Sequence, residues 1–111
     1  MYTDEEKKEC LVSMGEAMQI LGVKWSFWVI GELANAPLRF NELRRNLKGI
    51  STKSLSDVLR RLEQARIVHR EVFPTVPVTV EYSLTDKGTD FLRVYSAMHD
   101  WGEKWTGPDH Y

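Results

Sequence analysis

Cys10 is the one thiol in this 111-residue chain, and His69, His99 and His110 are its three imidazoles. A thiolate can serve as nucleophile, metal ligand or redox centre, and its reactivity follows its pKa. Lys7 and Lys8 beside Cys10 are offset by Glu6 and Glu9, so the local charges do not favour the thiolate. A single cysteine closes no internal disulfide, which excludes a disulfide-stapled extracellular scaffold. The histidines are scattered, with no metal-ligand spacing among themselves or to Cys10. Gly49 and Gly88 stand apart from any phosphate-cradling glycine loop, and Glu81 and Asp86 form no obvious acid–base pair. The expectation is therefore a protein that is not an enzyme and that holds no metal and no cofactor.

The chemistry that the sequence does concentrate is cationic. The chain as a whole carries a net charge of −1. Between Arg39 and Arg61, however, Arg39, Arg44, Arg45, Lys48, Lys53, Arg60 and Arg61 face only Glu42 and Asp57. A polyanion responds to that local field rather than to the average. Double-stranded DNA is the partner that such a segment predicts.

The elements that would position these residues follow from periodicity. Apolar residues recur at helical spacing from 11 to 21, and Gly22 ends the run. A second helix, from about Ser26 to Ala34, is apolar nearly all round, which predicts a buried central helix. Asn35-Ala36-Pro37 stops it, and Leu38-Arg39-Phe40 reads as a short extended piece. Asn41 is the expected N-cap of a third helix reaching Leu47, and Lys48-Gly49-Ile50 makes a turn. Ser51 is the expected cap of a fourth helix, whose inward stripe is Leu55, Val58, Leu59 and Leu62. Residues 68–73 and 78–84, rich in Val, Phe, Tyr and Thr, read as two strands around a Pro74-to-Pro77 hairpin tip. Thr85 caps a last helix from Asp86 to about Lys104. Along it Phe91, Tyr95, Met98, Gly102 and Trp105 alternate spacings of four and three, as in a coiled-coil seam.

Two short helices around a glycine turn, followed by a hairpin, describe a mainly α fold with a small β wing, the winged helix-turn-helix. In that arrangement the fourth helix points its free N–H groups, opened by Ser51, at an anionic backbone. Thr52, Lys53, Ser56, Asp57 and Arg60 face outward and can reach base edges. Arg39, Arg44, Arg45 and Lys48 supply the surrounding charge for phosphates. Thr75, Val76 and Thr79 at the hairpin tip are placed to follow the flanking minor groove. The same pattern also fits a winged helix used as a protein-interaction module, because every amphipathic helix has a polar face.

The order of short motifs adds a resemblance. Gly22-Val23-Lys24-Trp25, Leu38-Arg39-Phe40-Asn41-Glu42-Leu43, Gly49-Ile50-Ser51 with Lys53 and Leu55, and Leu59-Arg60 with Leu62-Glu63 resemble the HxlR-type family of winged helix-turn-helix regulators. Val76-Pro77, Val80-Glu81-Tyr82-Ser83-Leu84-Thr85, Gly88 and Trp101-Gly102 continue the likeness, which spans about Met14 to Trp105. The resemblance implies a dimeric DNA-binding transcription regulator whose first and last helices form the dimer. Met14, Met18, Leu21, Phe91, Tyr95, Met98, Trp101 and Trp105 are the implied seam. It also implies a redox- or electrophile-sensing role for Cys10, and hence an oxidant or small-molecule inducer. Arg66 replaces the glycine that the family places before the first wing strand, so a remodelled helix end is expected there. Pro77-Val78-Thr79 lacks the wing arginine common in the family.

The reading as a whole is one winged helix-turn-helix domain over residues 1–111, with disordered ends at about 1–9 and 106–111. It acts as a homodimer on a pseudo-palindromic operator. The acidic, polar start and the lack of any apolar run of about 20 residues predict no signal peptide, no membrane contact and a cytoplasmic location.

Overall fold

The structure, a computed structural model, describes residues 3–7 and 24–106. The expected first helix, and with it Cys10, Met14, Met18 and Leu21, lies outside the described residues, as does His110. Residues 4–7, placed in a disordered end by the sequence reading, form a helical turn. Thr3 and Glu6 cap it reciprocally. The Glu6 N–H donates to Thr3 Oγ1 at 3.1 Å and the Thr3 N–H to Glu6 Oε2 at 3.2 Å, a capping box that satisfies two otherwise orphaned donors.

Helix α1 (Lys24–Leu33) runs through the centre, with Val29, Ile30 and Leu33 in the core. It is not buried all round as its composition suggested, since Trp28 is 49% exposed. Strand β1 (Leu38–Arg39) leads directly into α2 (Phe40–Asn46). The N-cap of α2 is Arg39 rather than Asn41, because Glu42 reaches back to accept the Arg39 N–H at 2.9 Å. That half of a capping box fixes the start of the helix two residues earlier and draws Asn41 into the first turn. Leu47 ends α2, and Gly49, at φ 95°, makes the turn in a conformation that costs glycine little.

Helix α3 (Thr52–Gln64) is capped by Ser51, whose Oγ accepts the Ser54 N–H at 3.1 Å. Its end is a Schellman motif. The Ile67 N–H donates to the Leu62 carbonyl at 2.9 Å and the Arg66 N–H to the Glu63 carbonyl at 3.0 Å. Arg66 takes the left-handed position itself, at φ 62°. The missing glycine therefore leaves the cap intact and strains one residue instead.

Strands β2 (Val68–Phe73) and β3 (Thr79–Leu84) form the hairpin, with Val68 opposite Leu84 and Phe73 opposite Thr79. The second strand starts at Thr79, one residue later than expected. Leu38 and Arg39 pair antiparallel with Tyr82 and Glu81, so the sheet has three strands in the order β1-β3-β2. Tyr82 and Leu84 turn inward against the helical core.

Helix α4 (Asp86–Trp105) is capped by Thr85, whose Oγ1 accepts the Gly88 N–H at 3.0 Å. The joint with α3 is tight. The Thr85 N–H donates to the Ile67 carbonyl at 3.0 Å, and Lys87 Nζ donates to the Ala65 carbonyl at 2.9 Å. A Cβ on Gly88 would lie 2.2 Å from the Ile67 carbonyl oxygen, so this turn of α4 admits only glycine. Higher up, the Tyr95 ring stacks on Phe27 of α1 at 4.2 Å, with its hydroxyl over Gly31. No helix among the described residues is long and apolar enough to cross a membrane.

Candidate nucleic-acid interface

The core presses α3 from one side only. Leu55, Val58, Leu59 and Leu62 are all buried, and at helical spacing they form one stripe. The opposite face leaves Thr52, Lys53, Asp57 and Arg60 exposed and Ser56 half-buried. Arg60 and Asp57 approach to 3.9 Å across open solvent, an ion pair worth little and easily exchanged for another partner. At the N-terminus Ser51 satisfies only the Ser54 N–H. The N–H groups of Thr52 and Lys53 precede the first intrahelical acceptors and are turned outward with the helix dipole behind them.

Helix α2 carries the second set of groups. Arg39, Asn41, Glu42, Arg44 and Arg45 line an open groove of about 630 Å³ along the end of β1 and α2. Arg45 and Lys48 are exposed. Arg44 is already engaged, since its Nη1 donates to Thr52 Oγ1 at 2.9 Å. This bond crosses from α2 to the first residue of α3 and ties the two helices together at the face. Arg39 also stands in register with Glu81, which in turn faces Glu71.

The wing residues divide. Val76 projects fully into solvent at the hairpin tip. Thr75 is exposed, but its hydroxyl bonds back to the loop, donating to the Pro77 carbonyl at 2.8 Å and lying 3.0 Å from Thr79 Oγ1. Thr75 and Thr79 thus hold the tip in shape, and Val76 is what the tip presents.

The seam residues divide as well. Phe91 is buried in the core of its own chain, and Tyr95 is spent on Phe27 and Gly31. Met98, Trp101 and Trp105 lie in the outer half of α4 at 44%, 67% and 47% exposure. Val94, Ala97, Met98 and Trp101 enclose an apolar groove of about 250 Å³ there. Val94, which the spacing argument omitted, belongs to this face.

Comparison with known proteins agrees with this geometry. The profile of the HxlR-like helix-turn-helix family matches residues 20–110. The chain belongs to that family. The HTH-type transcriptional regulator YodB of Bacillus subtilis is 39% identical over 95 residues, covering 86% of this chain and 85% of YodB. In its reduced form YodB superposes with a TM-score of 0.76 at 34% identity, over 97% of this chain and 98% of that one. A MarR-family regulator from Enterococcus faecalis V583 superposes at 0.80 with 35% identity, covering 96% and 92% of the two chains. The redox regulator HypR in its reduced form superposes at 0.79 with 37% identity, over 83% and 91%. The family is one of transcription regulators, and this member is a DNA-binding transcription regulator with a winged helix-turn-helix.

Sequence reasoning read Thr85 as the cap of the last helix but missed the contacts that join α4 to the end of α3 and the residue that fixes the start of α2. Thr85, Lys87 and Gly88 clamp the C-terminal end of α3, and Glu42 fixes the start of α2. The Arg39-x-x-Glu42 spacing was the available signal for the second, because it matches a capping box in all but its first residue.

Proposed function

We propose that the protein binds a pseudo-palindromic operator as a cytoplasmic homodimer, with α3 of each protomer in the major groove. The observation that carries this reading is the division of α3. Every apolar side chain on its inner stripe is buried, and its outer face offers a lysine, an arginine and hydroxyls beside the arginine groove of α2. Thr52, Lys53, Ser56 and Arg60 read bases. Arg39, Arg45, Lys48 and the N-terminus of α3 at Ser51 hold phosphates. Val76 of the wing meets the flanking groove. The second copy covers Met98, Trp101 and Trp105.

Redox control through Cys10 is part of the proposal. YodB has been solved reduced, diamide-treated and quinone-bound, and HypR oxidised and reduced. By analogy, two Cys10 thiolates of a dimer would pass two electrons to an oxidant and close one intersubunit disulfide. A quinone would instead add to one thiolate.

The test is binding to the promoter beside the protein's own gene and to random DNA, at two salt concentrations. Lys53→Ala and Arg60→Ala should cost about 1–3 kcal/mol on the specific site and far less on random DNA. Arg45→Ala should weaken both and flatten the salt slope. Equal losses on both DNAs for all three would leave no reading helix, and no binding at all would favour the protein-interaction module. Diamide should lower the affinity of the wild type and leave Cys10→Ser unchanged.

A further inference from the structure

The outer face of α3 carries an acid at its centre. With about 100° between successive residues of a helix, Lys53, Asp57 and Arg60 lie within about 30° of the direction opposite the buried stripe of Leu55, Val58, Leu59 and Leu62. All three are exposed. Glu63, the other acid of α3, stands about a quarter-turn away from that direction, and Glu42 of α2 is tied to the Arg39 N–H. Asp57 is therefore the carboxylate that α3 puts foremost, where a phosphate backbone repels it. Among the described residues its partner is Arg60, at 3.9 Å, and a solvent-open pair of this kind contributes little to the fold. The helix is capped by Ser51 and held by its apolar stripe, so neither its start nor its packing calls for an acid at 57.

We propose that Asp57 is a specificity residue that selects a cytosine, next to the base pair whose guanine Arg60 reads. The inference rests on the reading above, with α3 in the major groove. There cytosine offers the N4 amino group as a donor, guanine and thymine offer acceptors, and adenine sets its amino group beside an N7 that a carboxylate cannot satisfy. Arg60 matches guanine O6 and N7 with two parallel bonds. Three residues of helix rise about 4.5 Å, and side chains at that spacing on a helix in the groove meet successive bases. Away from the operator the same carboxylate faces phosphates or acceptor edges, and losing its water there without a donor costs binding. Asp57 thus lowers affinity for random DNA more than for the operator. Its pairing with Arg60 also keeps that arginine from acting as a free phosphate clamp.

The experiment measures binding of the full chain to the promoter site, to every single-base-pair variant of it, and to random DNA. The wild type should lose about tenfold or more when one cytosine in each half-site is replaced. Asp57→Asn keeps the shape of an exposed side chain, and its amide matches adenine N6 and N7. Its preference at that position should move from cytosine to adenine, and its affinity for random DNA should rise. Asp57→Ala should relax the same position without choosing a new base, while Arg60→Ala should relax the neighbouring one. A wild type that discriminates among the sites, with every base preference unchanged in both Asp57 variants, would overturn this proposal and leave the reading helix standing. A single position relaxed alike by the Asp57 and Arg60 variants would also overturn it, making Asp57 a prop for the arginine. A wild type that binds all the DNAs equally would remove the reading helix and this proposal together.

Discussion

Helices α3 and α4 are both amphipathic and both packed on α1, yet they leave opposite kinds of surface behind. On α3 the apolar residues are used up within the protomer, and what remains outside is charged or hydroxylic. On α4 one face of the first half is used in the same way, through Gly88, Phe91 and Tyr95, but Val94 and, in the second half, Met98, Trp101 and Trp105 stay at the surface. A face of the first kind has no reason to leave water except for a charged partner. A face of the second kind loses free energy for as long as it stays wet, at about 25 cal/mol per Å². The difference supports the proposal that α3 meets nucleic acid and that a second copy of the chain covers the outer part of α4.

Trp101→Asp is the strongest way to break that comparison. A tryptophan at the centre of an interface is a hot spot worth about 2 kcal/mol or more, and a twofold interface repeats the change. The dimer should therefore weaken by about 4 kcal/mol and sediment as monomer at micromolar concentration. Its thermal midpoint at a matched monomeric dilution should stay near that of the wild type, because Trp101 is 67% exposed in the protomer. A wild type that sediments as monomer would remove the outer half of α4 from any interface.

Gly88→Ala tests the other half of α4. The new methyl meets a backbone carbonyl at 2.2 Å, and overpacking of this kind costs about 1–3 kcal/mol. Denaturant unfolding should show the loss. Because Gly88 abuts Ile67, just beyond α3, DNA affinity should fall with it. Undiminished stability would mean that α4 is not clamped to α3.

This clamp also marks where the sequence stops being readable. Ser51 and Thr85 were legible as caps because a hydroxyl at the start of an apolar period has one common use. The inward stripe of α3 was legible because its four apolar residues leave only one face to bury. The seam on α4 was only half legible. A three-four alternation gathers Phe91, Tyr95, Met98 and Trp105 onto one face, but it does not say where along the helix the protomer ends and a partner begins. That boundary is set by Gly31 and Phe27 on α1, more than sixty residues away in the chain. The extended piece at Leu38–Arg39 was legible as such, but its pairing with β3 was not, since two residues carry no period that would point to a partner.

Arg44 sharpens the comparison within the DNA face. The sequence reading gave it to a phosphate, and the structure gives it to Thr52. If the bond to Thr52 persists on DNA, Arg44→Ala and Thr52→Val remove the same interaction. Each should cost about 1 kcal/mol on the specific site, and the double variant should cost little more than either. The salt slope of Arg44→Ala should then match the wild type. Additive losses with a slope reduced by about one would return Arg44 to the phosphates.

The smallest effect concerns Arg66 and runs in the stabilising direction. Its backbone is left-handed at φ 62°, where a side chain costs about 1–2 kcal/mol relative to glycine. The side chain is exposed and makes no hydrogen bond among the described residues, so Arg66→Gly removes strain without removing a contact. Part of the gain is returned because glycine loses more freedom on folding. The net should be about 0.5–1 kcal/mol of added stability, read as a higher denaturant midpoint at unchanged m. If strain at this joint holds α3 at its working angle, the gain will come with weaker DNA binding. If it is merely tolerated, affinity will not move. A midpoint that falls would show that the guanidinium does more for the folded chain than its exposure suggests, and the Schellman turn would then owe its geometry to Arg66 rather than survive in spite of it.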